Sequence, residues 1–346
     1  MAAKRIRISA DNVTFYTLPG NTAELQNENG ELADTIFGQE FSSTESGIGS
    51  WTVTSNALYK GFAGYIVDLR KSGTSTAMVN EATTQIGSTK SYRITSNAHR
   101  IIDPYVPVVV KANAVTVAAA DIDNIDYLAG IVTFDAGYTP AAPVTIDGNY
   151  LPTTEIAGSR SFTMTMTSEA KDETDIPTAK ANGGFRVFSP GLNTATLELG
   201  GIAKTGNDNI ANLIARDPIV VQINPDNAGK SVATGIFKYT QQNQSGDVGA
   251  VEEETVTLNL NVPDNESMKA PFTWQHTNDT TLNQGVRILL DAWLNKTLVY
   301  VQYLPDGLAG HTGQAVVTDV SLSGGLEAMN EFAVTLQGSG AVTATP

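Results

Sequence analysis

Residues 254–262 read ETVTLNLNV, and this stretch decides the fold class because apolar and polar side chains alternate along it. A period of two is the signature of a β-strand with one buried face. The apolar face carries Val256, Leu258, Leu260 and Val262, and the other face carries Thr255, Thr257, Asn259 and Asn261. The stretch therefore predicts a strand that presents one polar face.

The same alternation recurs at residues 162–167 (FTMTMT) and 194–199 (TATLEL). Charged residues make up only 16% of the 346 residues, and Gly, Thr, Val and Asn are abundant, which favours strands and tight turns over helices. We expect a mainly β protein of β-sandwich or barrel domains, with one or two short flanking α-helices and a small inserted β-module.

Two segments have helical spacing. In the first, Ile210, Leu213 and Ile214 precede Pro218; in the second, apolar residues recur from Leu282 to Trp293, with Thr281 as a candidate N-cap. An apolar strand follows each helix, at residues 219–223 and 298–303, and two more strands follow each of those. This shared order predicts an internal repeat.

Chain organisation is predicted as four consecutive segments. They are first strands and a long loop (1–80), a small sandwich-like module (81–160), a first repeated unit (161–263), and a helix with strands completing a second unit (264–346). Polar stretches at residues 26–50 and 168–189 lack apolar periodicity, and both are interpreted as loops.

Acidic residues outnumber basic ones by 36 to 21, which gives a net charge of −15. This balance argues against a protein that wraps nucleic acid, since such proteins neutralise phosphate with clustered Lys and Arg. Solubility alone is the other explanation of the excess. The absence of cysteine excludes disulfides and thiolate chemistry, and no apolar run is long enough to span a membrane.

No catalytic, cofactor or metal site is predicted. The three histidines are far apart, the aspartates at 121, 123 and 126 lack the glycine and glutamate of an EF-hand, and phosphate-binding and hydrolase motifs are missing. The run of glutamates at 252–254 is interpreted as a solvated hairpin end. We therefore expect a protein that is not an enzyme.

Isolated aromatic residues in or beside the predicted loops are candidate subunit contacts, with core packing as the alternative. These candidates are Phe37, Phe41, Trp51, Phe185 and Phe188.

The sequence also resembles a known family. Residues 183–197 (GGFRVFSPGLNTATL) look like the loop-to-strand passage of major tail tube proteins of long-tailed, siphovirus-type bacteriophages. Residues 290–294 (LDAWL), which lead into 299–307 (VYVQYLPDG), and the strands at 315–324 and 331–338 are similar to the C-terminal third of these proteins. This chain is about twice as long as usual members, which form hexameric rings, and the internal repeat then predicts a duplicated tube domain.

The resemblance implies stacked homo-oligomeric rings that form a conduit for DNA ejection, in the virion tail, from subunits made in the host cytoplasm. With two tube units per chain, trimeric rings are favoured and hexameric rings are the alternative. Partners would be other tail proteins, such as tape measure and terminator proteins, and genomic DNA in transit without specific binding. Candidate lumen residues are Glu253, Thr255, Thr257, Asn259 and Glu331. The alternative from another class is a phage or cell-surface adhesin or receptor-binding β-protein.

Overall fold

A computed structural model of the protein describes residues 5–18, 20, 22–34, 43–58, 68–156, 159–203, 213–224, 231–247, 252–263, 268, 270–276, 284–325 and 328–345. These residues form mainly antiparallel β-sheet, which confirms the predicted fold class. The strands are β1 (Arg5–Ser9), β2 (Tyr16–Thr17), β3 (Thr22–Asp34), β4 (Ser43–Leu58), β5 (Asp68–Ser72), β6 (Thr76–Gln85), β7 (Ser91–Ile94), β8 (Val109–Ala112), β9 (Val115–Thr116), β10 (Ile122–Asp126), β11 (Ile131–Phe134), β12 (Val144–Tyr150), β13 (Thr153–Glu155), β14 (Ser159–Asp172), β15 (Phe188–Ile202), β16 (Ile219–Asn224), β17 (Ser231–Ser245), β18 (Glu253–Leu260), β19 (Phe272–His276), β20 (Val299–Leu304), β21 (Gly310–Gly325) and β22 (Ala328–Thr345).

Helices are few and short. The α-helices are α1 (Ile176–Ala181) and α2 (Gln284–Asn295), residues 213–215 are also helical, and 3-10 turns lie at Asn97–His99 and Ala119–Asp121. Helix α2 confirms the second predicted helix, although Thr281 and Leu282 lie outside the described residues. The first predicted helix is described only at residues 213–215.

The chain divides into two compact units. The first comprises Met1–Tyr65, Phe162–Thr196 and Asp279–Pro346, and the second comprises Ile66–Ser161 and Leu197–Asn278. Each unit thus collects stretches that are distant in sequence. The four consecutive segments stay a prediction about the order of elements along the chain.

In the first unit, antiparallel ladders join the strands in the order β2-β1-β20-β21-β22-β4-β3, and β14 also neighbours β21. Helix α2 packs against β1, β20 and β21. Its buried residues include Val286, Leu289, Leu290 and Trp293, whose spacing of three and four positions makes one apolar stripe. Burial of this stripe against the sheet stabilises the short helix.

The second unit contains two sheets. One has the order β13-β5-β16-β17-β18, with β19 paired to β17, and the other has the order β10-β11-β7-β6-β12-β8-β9. The strands of the seven-stranded sheet lie between Thr76 and Tyr150, a stretch that overlaps the predicted segment 81–160. The buried Val110 and Ile146 of this sheet belong to one apolar cluster with Val220 of β16 and Ile236 of β17.

Both predicted polar loops are largely regular structure, and the loop interpretation was wrong there. Residues 26–34 belong to β3 and residues 43–50 to β4, because main-chain pairing holds a strand even where apolar alternation is absent. In the other stretch, β14 continues to Asp172 and β15 begins at Phe188. Between them, the Asp175 carboxylate accepts a hydrogen bond of 2.7 Å from the Thr178 backbone N–H and caps α1.

Candidate lumen and contact surfaces

The sheet formed by β21, β22, β4 and β3 has one apolar and one polar side. Directly opposite residues on antiparallel strands lie on the same face, so the register defines rows of neighbours. One such row runs Asp319, Thr335, Thr54, Glu24, and the next runs Ser321, Ala333, Asn56, Thr22. We call this side the four-strand face. It consists of Asp319, Ser321 and Ser323 of β21, Glu331, Ala333, Thr335 and Gln337 of β22, Thr52, Thr54 and Asn56 of β4, and Thr22, Glu24, Gln26 and Glu28 of β3.

The opposite side of the same sheet is the core side. Its buried residues include Trp51, Val53, Val320, Leu322, Phe332, Val334 and Leu336. Every described side chain of the four-strand face is exposed or half-buried. Water therefore reaches this face in the single chain.

Lys and Arg do not occur in the sequences of these four strands. Glu24, Glu28, Asp319 and Glu331 supply carboxylates to the four-strand face, and partial burial raises the pKa of the Asp319 carboxyl. A surface with carboxylates and without fixed cations repels phosphate and gives no site for counterion release. The four-strand face therefore offers no cation for a phosphate contact.

A second polar face lies on the β17–β18 ladder in the other unit. Gln241, Asn243 and Ser245 pair with Thr257, Thr255 and Glu253, and these six residues form what we call the two-strand face. Five of them are exposed and Thr257 is half-buried. Asn259, the next candidate along β18, is also exposed, but it pairs with the exposed Lys238, so one cation borders this face.

Two predictions about β18 need correction. Glu254 lies on the buried side of the strand, at 7% exposure, and Gln242 Nε2 donates a hydrogen bond to its carboxylate. The glutamate run is therefore not a uniformly solvated hairpin end. Val262 was placed on the apolar face, but it lies beyond the end of β18 and is 71% exposed.

The two units carry the same irregularity in equivalent hairpins. The β17–β18 register shifts at Thr240, whose hydroxyl donates a hydrogen bond of 3.1 Å to the Thr257 carbonyl. The β21–β22 register shifts at Thr318, whose hydroxyl donates one of 3.0 Å to the Thr335 carbonyl. Thr240 and Thr318 are separated by the same number of positions as Thr257 and Thr335. β-Bulges are specific features that related folds retain, so a bulge at the same place in both hairpins indicates that their strands are equivalent.

The strands that precede these hairpins agree in register. In β16, Val221 and Gln222 pair with Gly235 and Thr234; in β20, Val301 and Gln302 pair with Gly313 and Thr312. Each glutamine also pairs with an arginine on its other side, Gln222 with Arg70 and Gln302 with Arg7.

The strands that carry these arginines are equivalent as well. The Leu18 backbone N–H donates to the Ile6 carbonyl, and the Ile156 N–H donates to the Leu69 carbonyl, both at 2.8 Å. These matches support the predicted internal repeat and extend it beyond the C-terminal strands to β1 and β5. Glu253 and Glu331 take the same place in the two copies, opposite Ser245 and Ser323.

Three of the predicted contact aromatics come together in the first unit. The Trp51 indole is buried, at 3% exposure, and its Nε1 donates a hydrogen bond of 3.0 Å to the Gly340 carbonyl. Phe185 is half-buried with its ring against Gly49, and Phe188 exchanges two hydrogen bonds with the Ser339 hydroxyl, at 2.8 and 2.7 Å. Little of Trp51 is left for a neighbouring copy, whereas Phe185 and Phe188 retain accessible surface. Phe37 and Phe41 lie outside the described residues.

Among the described residues, no group of three or more His, Asp or Glu side chains is placed to hold a metal ion. No helix in that part of the chain is both long and apolar enough to cross a membrane.

No protein-family model and no curated protein sequence matches the chain. Chains from solved structures, two of them from gene transfer agent particles, are similar to part of it. One comes from the tail of an empty gene transfer agent particle determined with six-fold helical symmetry, at 15% identity, covering 36% of this chain and 87% of that chain with a TM-score of 0.29. The other comes from the virion of a native gene transfer agent particle, at 16% identity, covering 36% and 88% with the same TM-score. Scores this low do not establish a shared fold.

Proposed function

We propose that the protein is a structural subunit of the tail tube of a long-tailed phage or phage-like particle, and that each chain supplies two equivalent tube units. Its place would be the virion tail, after synthesis in the host cytoplasm. The role is structural and not enzymatic, and it needs no cofactor.

One observation carries the proposal: each copy of a repeated antiparallel hairpin presents a polar face with few or no cations. The four-strand face contains no Lys or Arg, and Lys238 lies at the border of the two-strand face. Glu253, Thr255, Thr257 and Asn259 of one copy and Glu331 of the other would line the lumen. DNA in transit would meet hydroxyl, amide and carboxylate groups, which form no strong contacts with phosphate.

We favour a ring of three chains. Because each chain supplies two tube units, three chains related by closed rotational symmetry provide six equivalent units around the lumen. A six-chain ring is the alternative, and it would follow if only one unit of each chain faced the lumen. Tape measure and terminator proteins would contact the tube through its lumen and its end. Phe185 and Phe188 would contribute to the contacts between copies.

Negative-stain electron microscopy of the purified protein tests the proposal. Rings or hollow tubes with a central channel are expected, either spontaneously or after concentration. Discrete particles without a channel at every concentration would contradict a tube subunit and would favour the adhesin class.

A further inference from the structure

Strand β21 has neighbours along both edges. Its ladder to β22 runs from Gly310 to Gly325, and on the other edge the ladder to β20 ends at Ala315. Strand β14 also neighbours β21, so it must lie on that second edge beyond Ala315. Within the first unit, β14 thus completes an edge that β20 leaves open.

Strand β17 is the equivalent of β21 and has the same open segment. Its ladder to β16 ends at Phe237, while its ladder to β18 continues on the other edge as far as Ser245. In the part of the chain that the structure describes, no strand pairs with residues 240–245 along the edge of β17 that faces β16. This is the position that β14 occupies on β21.

Strand β3 is the equivalent of β14. Strand β3 is the first strand of a hairpin whose second strand, β4, neighbours β22. Strand β14 is the first strand of a hairpin whose second strand, β15, neighbours β18, and β22 and β18 are the last strands of the two repeated hairpins. Strand β14 has neighbours on both sides, β15 and β21, whereas β3 pairs only with β4 among the described residues. A long edge strand with an unpaired side is a template for pairing with another chain.

Resting on the proposed tube function, we propose that β3 of one copy pairs antiparallel with residues 240–245 of β17 in the next copy, as β14 neighbours β21 within one chain. The direction follows from the antiparallel ladders, because β21, β22, β4 and β3 alternate in direction. Strand β17 of the next copy is equivalent to β21 and would follow β3, so it would run antiparallel to β3. The contact is heterologous, because two different edges meet, and in the proposed tube its rotation would close into a ring. It would also place Glu24, Gln26 and Glu28 on the same side as Asn243 and join the four-strand face to the next two-strand face.

Cysteine cross-linking tests the pairing directly, because the chain contains no cysteine of its own. Asn243→Cys is combined in turn with Glu24→Cys, Gln26→Cys and Glu28→Cys, which samples three registers at exposed positions. The matched control combines Asn243→Cys with Val79→Cys, which is 74% exposed on β6 of the seven-stranded sheet. Each variant is oxidised, separated on a denaturing gel and viewed by electron microscopy.

The expected result is a ladder of covalent dimers and trimers for at least one β3 position, at least tenfold above the control. Rings or tubes with control-level linkage in all three pairs would overturn the pairing and leave the tube function intact. Specific linkage without rings would support the pairing and contradict the tube. Monomeric particles without linkage would overturn both.

Discussion

The indole of Trp51 lies against the backbone of Gly338, so closely that a Cβ at that glycine would come within 2.0 Å of the ring. Gly313 on β21 approaches the other end of the indole, where a Cβ would be 2.5 Å from it. The two glycines therefore make the space into which β4 inserts its largest side chain. This packing fixes β4, and with it β3, against the C-terminal hairpin.

Removal of the indole should destabilise the first unit. Trp51→Ala removes a buried aromatic side chain and its hydrogen bond to Gly340, at a cost of about 3–5 kcal/mol. Gly338→Ala should also destabilise by at least ~1 kcal/mol, because the added methyl overlaps the ring. Urea denaturation monitored by far-ultraviolet circular dichroism measures both losses of stability without relying on tryptophan fluorescence. The control is Thr54→Ala on the exposed face, which should change stability by less than about 0.5 kcal/mol. An unaltered midpoint for Trp51→Ala would contradict this packing.

The two bulge threonines should respond equally to substitution. Thr240→Val and Thr318→Val each delete one hydroxyl that bonds a main-chain carbonyl, and each should cost about 1 kcal/mol. If the hairpins are equivalent, the two losses should agree within about 0.5 kcal/mol and add in the double variant, because the sites are independent. Thr255→Val, at an exposed position, serves as the control. A large loss at one threonine and none at the other would argue against equivalent hairpins.

Charge reversal should turn the polar faces into phosphate-binding surfaces. Tubes of the double variant Glu253→Lys and Glu331→Lys should still assemble, because both residues are exposed, but they should retain short duplex DNA at low ionic strength. Each added cation makes a phosphate contact, and binding should weaken steeply as salt rises. Particles that carry the variant should deliver their genome more slowly.

The matched control for charge reversal is Glu253→Gln with Glu331→Gln, which removes the carboxylates without adding cations. Co-sedimentation of DNA with assembled tubes over a salt series distinguishes the variants. Equal DNA retention by the wild type and the lysine variant would show that neither position faces the lumen.

The seven-stranded sheet contains a pH-sensitive carboxyl. Burial raises the pKa of Asp126, although its carboxylate accepts hydrogen bonds from the Leu128 and Ala129 backbone N–H groups at 3.1 and 2.9 Å. A raised pKa in the folded state means that the folded protein binds the proton more tightly. This carboxyl therefore contributes most stability below the usual Asp pKa of about 4, and that contribution is lost as the pH rises through the folded-state pKa.

Asp126→Asn should flatten this pH dependence, because the amide oxygen still accepts both hydrogen bonds but does not ionise. Thermal unfolding of the wild type and the variant between pH 3 and pH 7 tests it. The difference in melting temperature should move in favour of the variant as the pH rises above about 4. A difference that is constant with pH would contradict the role assigned to this carboxyl.

The parts of the fold with strong local periodicity could be predicted from the sequence. Strand β18 and helix α2 each bury one regular apolar side, so spacing alone identifies them. The stretches of β3 and β4 at residues 26–34 and 43–50 were missed because much of their sequence is polar on both sides. They pair with each other along the main chain, and main-chain pairing without a buried apolar face leaves no alternation in the sequence.

For the candidate surfaces, the sequence predicted Glu253 and Glu331 as lumen residues but gave no prediction for the N-terminal strands beside Glu331. One signal could have found them: residues 8–59 and 297–346 contain no Lys or Arg at all. These two cation-free stretches supply all four strands of the four-strand face. Trp51 was a candidate for contact between subunits because an isolated aromatic residue gives no indication of the glycines that will surround it.

The number of chains in one ring tests the account most directly, because it depends on both the tube function and the duplication. Cryo-electron microscopy of assembled tubes gives the rotational symmetry, and native mass spectrometry of isolated rings gives the number of 36.6 kDa chains. The account predicts three chains per ring, with six equivalent hairpin blocks around the lumen and Glu253 and Glu331 alternating along its wall. Six chains per ring, or a lumen lined by Lys and Arg, would contradict it.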